Sequence, residues 1–465
     1  MLKRVLFPLS GFCLISAVLL GPMTARGGDK TPAADLAADQ AGGAEAASED
    51  TAKKIWAPAV QPKPLSNEVK KGLKWIISRQ LDSGAWGQGD ESQNMRNSAR
   101  VFIKSEINSQ ENLPAKKGEQ AQQVQQKPSE IPSVADTCMA TLSLIRSGST
   151  PSKGEYAESI ARAVRFLCCQ IEEADEDTIF ITKTRGTRVQ SKLGPFIDTF
   201  MASMVLPEVV GKMPSKEDNT RAEKALGKVL AKMKKNQRKD GTWSDQGWAA
   251  TLAQGVAVKG MNRAAQMPSY SFAHAIQPMR EETEMNARGS FDRASGSFSG
   301  KGSAGVQLYS AGSNLSALAD NHNTNEQQSA EVEKEAKTAA TPKAREEAQR
   351  KLKQFRDVKR DLQAAQEAVV KRLDDKAFIA GFGNNGGEEF LSYMNIGEGL
   401  VVKGGDAWKS WDKSITENLN RIQNSDGSWS GHHCITGRTF CTSASLLVLM
   451  VDRAPMPVAS KVKGH

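Results

Sequence analysis

The residues best able to do chemistry gather at four places in the chain. Asp136-Thr137 and Asp198-Thr199 each open an apolar run. Glu388 and Glu389 open another, with Tyr393 and Glu398 further along it. His432, His433 and Cys434 stand together, with Cys441 seven residues on. Carboxylates beside imidazole can carry general acid–base chemistry. Imidazole and thiolate are also the ligand types that Zn²⁺ prefers. The candidate catalytic set is therefore Asp136, Asp198, Glu388 and His433, and the candidate metal ligands are His433 and Cys434, with zinc as the metal. Plainer readings stand beside these. An oxidising compartment would permit a Cys434–Cys441 disulfide. Glu388 and Glu389 could serve only as negative charges at a helix start, as could Asp136.

The elements that must position these groups are marked by a repeat. Gln80-Leu-Asp-Ser-Gly-Ala-Trp86, Gln237-Arg-Lys-Asp-Gly-Thr-Trp243 and Gln423-Asn-Ser-Asp-Gly-Ser-Trp429 share one pattern: Gln, Gly four residues on, Trp six residues on. Each follows a run with apolar residues on one helical face, such as Ala222, Leu226, Val229, Leu230 and Met233. Runs of the second kind are apolar nearly all round: 135–145, 197–206, 248–258, 390–402 and 439–451. A helix apolar on all sides must be buried, whereas a one-faced helix can border solvent. The order reads outer, inner, outer, inner, outer, inner, a gap, inner, outer, inner. The expected fold is all-α: an α/α toroid of about five to six hairpins, with the last inner helix closing on the first.

Residues 64–455 would form this domain, interrupted by insertions at 88–133 and 268–376. Within the second insertion, 283–327 is rich in Ser, Gly and Asn and reads as a loop. Residues 342–376 read as a long charged helix opened by Thr341-Pro342, either packed on one side or presenting a coiled-coil surface. Lys3 and Arg4 precede a mostly apolar run from Leu6 to Leu20, and Met23-Thr-Ala25 supplies a small residue for cleavage. That is the pattern of an export signal over 1–25, with an uncleaved membrane anchor as the alternative. Residues 26–63 read as a disordered linker, and 456–465 as a basic tail.

The formal net charge is +9, but the basic residues are spread along the chain. That excludes a nucleic-acid groove, which needs them clustered on one face. Beyond the signal there are five cysteines, an odd number that argues against a full disulfide framework. Nothing supports a nucleotide, haem or flavin site.

The Gln-to-Trp mark resembles the QW repeat of squalene and oxidosqualene cyclases, with related repeats in protein prenyltransferase β subunits. The resemblance covers about 65–265 and 378–455 and implies an α/α toroid around a central cavity. Two departures bear on chemistry. Cyclases of this type protonate an alkene with an Asp-x-Asp-Asp-Thr motif, whereas Ser133-Val-Ala-Asp136-Thr137 keeps only the last Asp. The Asp-Cys-His zinc set of the prenyltransferases is matched only in type by His433 and Cys434. The resemblance therefore implies an exported toroid without the cyclase acid, binding an apolar small molecule or a protein in or over its cavity. The rival expectation is an enzyme at the cavity mouth, performing metal-dependent prenyl transfer, cyclase-like chemistry, or polysaccharide lysis or glycoside hydrolysis.

Overall fold

The computed structural model describes residues 55–90, 131–244, 246–267 and 270–458. The expected signal, most of the linker, residues 91–130 of the first insertion and the tail from 459 lie outside the described residues. Among the described residues are 15 α-helices and four short strands.

Two kinds of helix alternate. α1 (Asn67–Ser78), α3 (Ala157–Glu173), α6 (Lys216–Asn236), α9 (Gln277–Gly289), α11 (Pro342–Val370) and α14 (Gly405–Ile422) bury one stripe and leave the rest to solvent. α2 (Val134–Arg146), α5 (Ile197–Val209), α7 (Ala250–Ala265), α13 (Gly387–Val401) and α15 (Arg438–Leu449) are buried on nearly every side, as is α10 (Gln307–Thr338) as far as Asn325. Short helices α4 (Arg188–Leu193), α8 (Ser271–Ala275) and α12 (Lys376–Ala380) fill turns. Ser66 accepts from Val69 N, and Thr341, read as the opening of its helix, accepts from Ala344 N, satisfying first-turn amides.

The buried helices pack in chain order: α2 on α5, α5 on α7, α7 on α10, α10 on α13 and α13 on α15, and α15 packs on α2. The one-faced helices lie against them, α3 on α2, α6 on α5, α11 on α10, α14 on α13 and α15, and α1 on α15.

The three Gln-to-Trp marks have one geometry. Each indole Nε1 donates to the carbonyl ten residues before it, Trp86 to Ile76 at 2.8 Å, Trp243 to Met233 at 2.7 Å and Trp429 to Leu419 at 2.9 Å. Those carbonyls lie in the last turn of the preceding helix, where no amide is available within the helix. Each Gln amide reaches the first turn of the next one-faced helix: Gln80 bonds Ser159 O, Gln237 bonds Met279 O and Gln423 bonds Glu68 O. The glycines at φ 85°, 76° and 90° are required twice over. The positive φ disfavours other residues, and a Cβ would stand 2.6, 2.4 and 2.7 Å from the carbonyls of Arg162, Glu282 and Lys71. The carbonyl met by Gly is three residues beyond the one bonded by Gln in every case, so the three joints superimpose in their contacts.

The stretch 268–376 departs from expectation. Residues 283–327 are not a loop: they hold the end of α9, a hairpin of β2 (Phe291–Asp292) with β3 (Ser297–Phe298), and the buried part of α10. The Ser/Asn/Gly composition hid a helix that packs by closeness rather than by apolar period. A Cβ on Gly312 would be 3.0 Å from Ser392 O, and Asn314 donates to Ala287 O at 2.7 Å. α10 is the sixth helix of the buried kind and α9 and α11 its one-faced neighbours. α11 ends at Val370, short of the expected 376. The ends of the domain also differ from expectation. β1 (Trp56–Pro58) pairs antiparallel with β4 (Pro455–Pro457), so residues read as linker and tail clasp each other.

Candidate functional site

The first turns of α2 and α5 bring Asp136 and Asp198 together, and the first turn of α13 holds Glu388 and Glu389. Asp198 is buried and accepts from Ala135 N at 3.0 Å and from Gln190 Nε2 at 2.6 Å. It thus caps the neighbouring helix α2, while Gln190 comes from α4. Burial raises its pKa, against those bonds and the Arg185 charge. Asp136 does not cap its own helix. Ser133 accepts from the Asp136 amide, and both carboxylate oxygens of Asp136 are buried with no donor among the described residues. Burial pushes Asp136 up to about 7, with the nearby Ser133 hydroxyl pulling the other way and the Asp198 charge adding to the rise. The expectation that a helix start would hold Asp136 as the anion fails here, because loss of water outweighs the helix dipole.

Glu388 and Glu389 are completely buried and reach away from their own helix. Glu388 Oε2 accepts from Ile435 N at 3.1 Å, and its Oε1 has no donor among the described residues. Burial pushes Glu388 up to about 8; the Ile435 amide lowers it and the Glu389 charge raises it. Glu389 Oε1 accepts from Tyr309 Oη at 2.6 Å and from Phe382 N at 2.9 Å. Its Oε2 lies 3.5 Å from His433 Nε2. Burial holds His433 below its usual pKa, against the pull of Glu389. Tyr393 donates to the Ile379 carbonyl rather than to these acids, though burial and then the Glu389 charge raise its hydroxyl pKa.

The sulfur readings are corrected. All five described cysteines are free, so the Cys434–Cys441 bridge does not form. Cys441 is buried in α15 and its thiol donates to Ile435 O at 3.4 Å. Cys434 sits at φ 55°, and burial pushes its thiol up to about 12, far from a thiolate. Among the described residues no three His, Cys, Asp or Glu side chains come close enough to hold a metal ion. Among the described residues, His433 and Cys434 therefore have no third such donor grouped with them, where a tetrahedral zinc site takes three or four.

Over the same end lies an aromatic row that sequence reasoning missed as a group. Trp248 and Phe382 meet edge to face at 5.5 Å, and Phe382 meets His433 at 5.2 Å. Lys192 Nζ stands 5.7 Å from the Trp248 ring centre. Trp248 is 38% exposed and Phe382 53% exposed. Trp248 was legible only as the start of an apolar helix, and Phe382 only as one residue of a glycine-rich loop.

Glu398 belongs to the opposite end. Its carboxylate pairs with Lys259 Nζ, which also bonds Asp320 Oδ2 at 2.9 Å and Ser316 Oγ at 3.0 Å. Arg146 forks onto both oxygens of Glu208, and Arg263 Nε lies 4.0 Å from the same carboxylate. Three cations and three anions from α2, α5, α7, α10 and α13 meet there, five of them buried and Glu398 slightly exposed. Lys259 and Glu398 belong to α7 and α13, which have α10 between them, so the interior expected to be apolar carries charge.

No family model, no curated protein and no solved structure matches this chain.

Proposed function

We propose that this chain is an α/α toroid, six inner and six outer helices, that binds an apolar ligand over the end where the inner helices begin. Support for the ring comes from packing order, since the neighbour relations run α2, α5, α7, α10, α13, α15 and back to α2. The outer layer has the same return, because Gln423 after α14 bonds the first turn of α1. The likeness of the Gln-to-Trp joints to the QW repeat of squalene cyclases and prenyltransferases fits this architecture and supplies no reaction by itself.

One observation carries the binding reading: Trp248 and Phe382 are exposed and meet edge to face beside Lys192, while Asp136, Asp198, Glu388 and Glu389 are buried. Exposed large aromatics in contact form a ready anchor for an apolar group. The cation beside them favours a ligand that also carries negative charge. An amphiphilic aromatic anion, 1-anilinonaphthalene-8-sulfonate, is a suitable probe. The folded protein should bind it saturably, and the Trp248→Ala/Phe382→Ala double variant should bind at least about tenfold more weakly, about 1.4 kcal/mol. Equal binding by a double variant with an unchanged melting curve would remove this reading.

A second reading, acid–base catalysis at the same end, has its own support. Asp136 and Glu388, at about 7 and about 8, hold their protons near neutral pH, as a general acid must. It requires the aromatic row to move aside and expose Glu388. The two readings part at Glu388→Gln, which leaves probe binding intact if the aromatic row alone is the anchor.

A further inference from the structure

Away from both clusters, a cavity of about 300 Å³ opens between α9, α10 and α11. That is the lower end of the size range of small-molecule sites. Arg280 and Glu284, one turn apart on α9 and each 1% exposed, line its depth. They pair poorly. Arg280 Nη1 is 3.5 Å from Glu284 Oε2, and its Nε is 3.4 Å from Gln277 Oε1, where charge-assisted bonds run at about 2.7–2.9 Å. Glu284 Oε2 takes one good bond, from Asn325 Nδ2 at 3.0 Å, and the Gln354 side chain also acts on the carboxylate. Its Oε1 is buried with no donor among the described residues. A buried carboxylate oxygen left without a donor is costly, and such atoms call for an explanation.

We propose that this cavity binds a small organic cation, an ammonium or guanidinium group on a short apolar stem. The cationic head supplies the donor that Glu284 Oε1 lacks. Glu281, Glu331 and Glu335 add three more carboxylates to the walls, against Lys351 and Arg280, so the field favours a cation over an anion. Val332 and Phe355 offer an apolar face for the stem.

The test is calorimetric titration of the full chain with butylamine and agmatine, and with butyrate as the anionic counterpart. Saturable binding of the amines and none of butyrate is expected. Glu284→Gln keeps the side chain's shape and should weaken amine binding at least about tenfold. Val332→Phe fills the cavity without touching a charge and should weaken it too, which decides the matter if Glu284→Gln does not fold. Absence of saturable amine binding, undiminished binding in the folded variants, or butyrate binding more tightly than butylamine would each overturn the proposal.

Discussion

The two ends of the buried helices solve the same problem in opposite ways. α2 carries Asp136 at its start and Arg146 at its end, about 15 Å apart at 1.5 Å per residue, and both are buried. At the far end Arg146 is matched by Glu208, and Lys259 by Asp320 and Glu398, so charge is kept and neutralised by pairing. At the near end no cation is paired with Asp136 or Glu388 among the described residues, although the Lys192 charge lowers Glu388, and burial favours the protonated form of both. Burial acts on both sets alike. What differs is whether an opposite charge arrives from another helix.

Breaking the paired end should have the largest effect. Lys259→Met strands Asp320 and Glu398 without their cation and should cost about 3–5 kcal/mol of stability in urea unfolding. A loss below about 1 kcal/mol would mean that the network is not a unit.

pH separates the two ends by sign. Glu388 has a folded pKa of about 8 against an ordinary 4.5. Its contribution is fully present below about 4.5 and is lost as pH rises through 8. Glu388→Gln should therefore stabilise the protein above pH 8, on the order of 2–4 kcal/mol, and change little below pH 4.5. Glu208 behaves oppositely. Burial pushes it up, but the Arg146 charge and bonds, with Arg263, hold it below the usual range. Its contribution is present above about 4.5 and lost as pH falls through the lowered value, so Glu208→Gln should destabilise at neutral pH and converge on the parent in acid. Denaturant midpoints measured from about pH 2 to 9 would show the two slopes, and slopes of the same sign would contradict the comparison.

Smaller changes sharpen the near end. Thr137 Oγ1 accepts from Trp86 N at 2.9 Å, and Thr442 Oγ1 accepts from Trp429 N at 2.9 Å, so two of the joints tie the turn to the next buried helix in one way. Thr137→Val and Thr442→Val should each cost about 1–3 kcal/mol by thermal melting, because the buried amide loses its acceptor. A cost in one and not the other would show that the joints are not equivalent. Phe382→Ala alone should move stability by no more than about 0.5 kcal/mol, since its ring is largely in water. A larger loss would make the aromatic row part of the seal over Glu388 rather than a surface upon it.

Much of the helical framework was legible in the residues. The apolar runs at 135–145 and 197–206 became α2 and α5 almost residue for residue, because a helix buried on all sides needs an unbroken apolar run. The three marks were legible as joints, since Gly at positive φ, a Trp donor and a Gln amide are each local demands. α10 was not legible: Ser310, Ser313, Asn314 and Ser316 carry no apolar period, and their burial rests on bonds to backbone and side chains elsewhere. The candidate site was half legible. Asp198, Glu388, Glu389 and His433 were found by type and position, yet Gln190, which bonds Asp198, and Tyr309, which bonds Glu389, come from segments that gave no sign of it.

By itself the sequence determined where helices begin, which faces they bury and how successive hairpins are joined, since these follow from periods and turns spanning a few residues. Only the tertiary structure decided which acids keep their protons and which keep their charge. Protonation in a buried site depends on loss of water and on cations delivered from distant segments. Lys259 meets Glu398 across 139 residues of chain. Among the described residues no such partner reaches Asp136, which lies at the other end of the same helix as the paired Arg146.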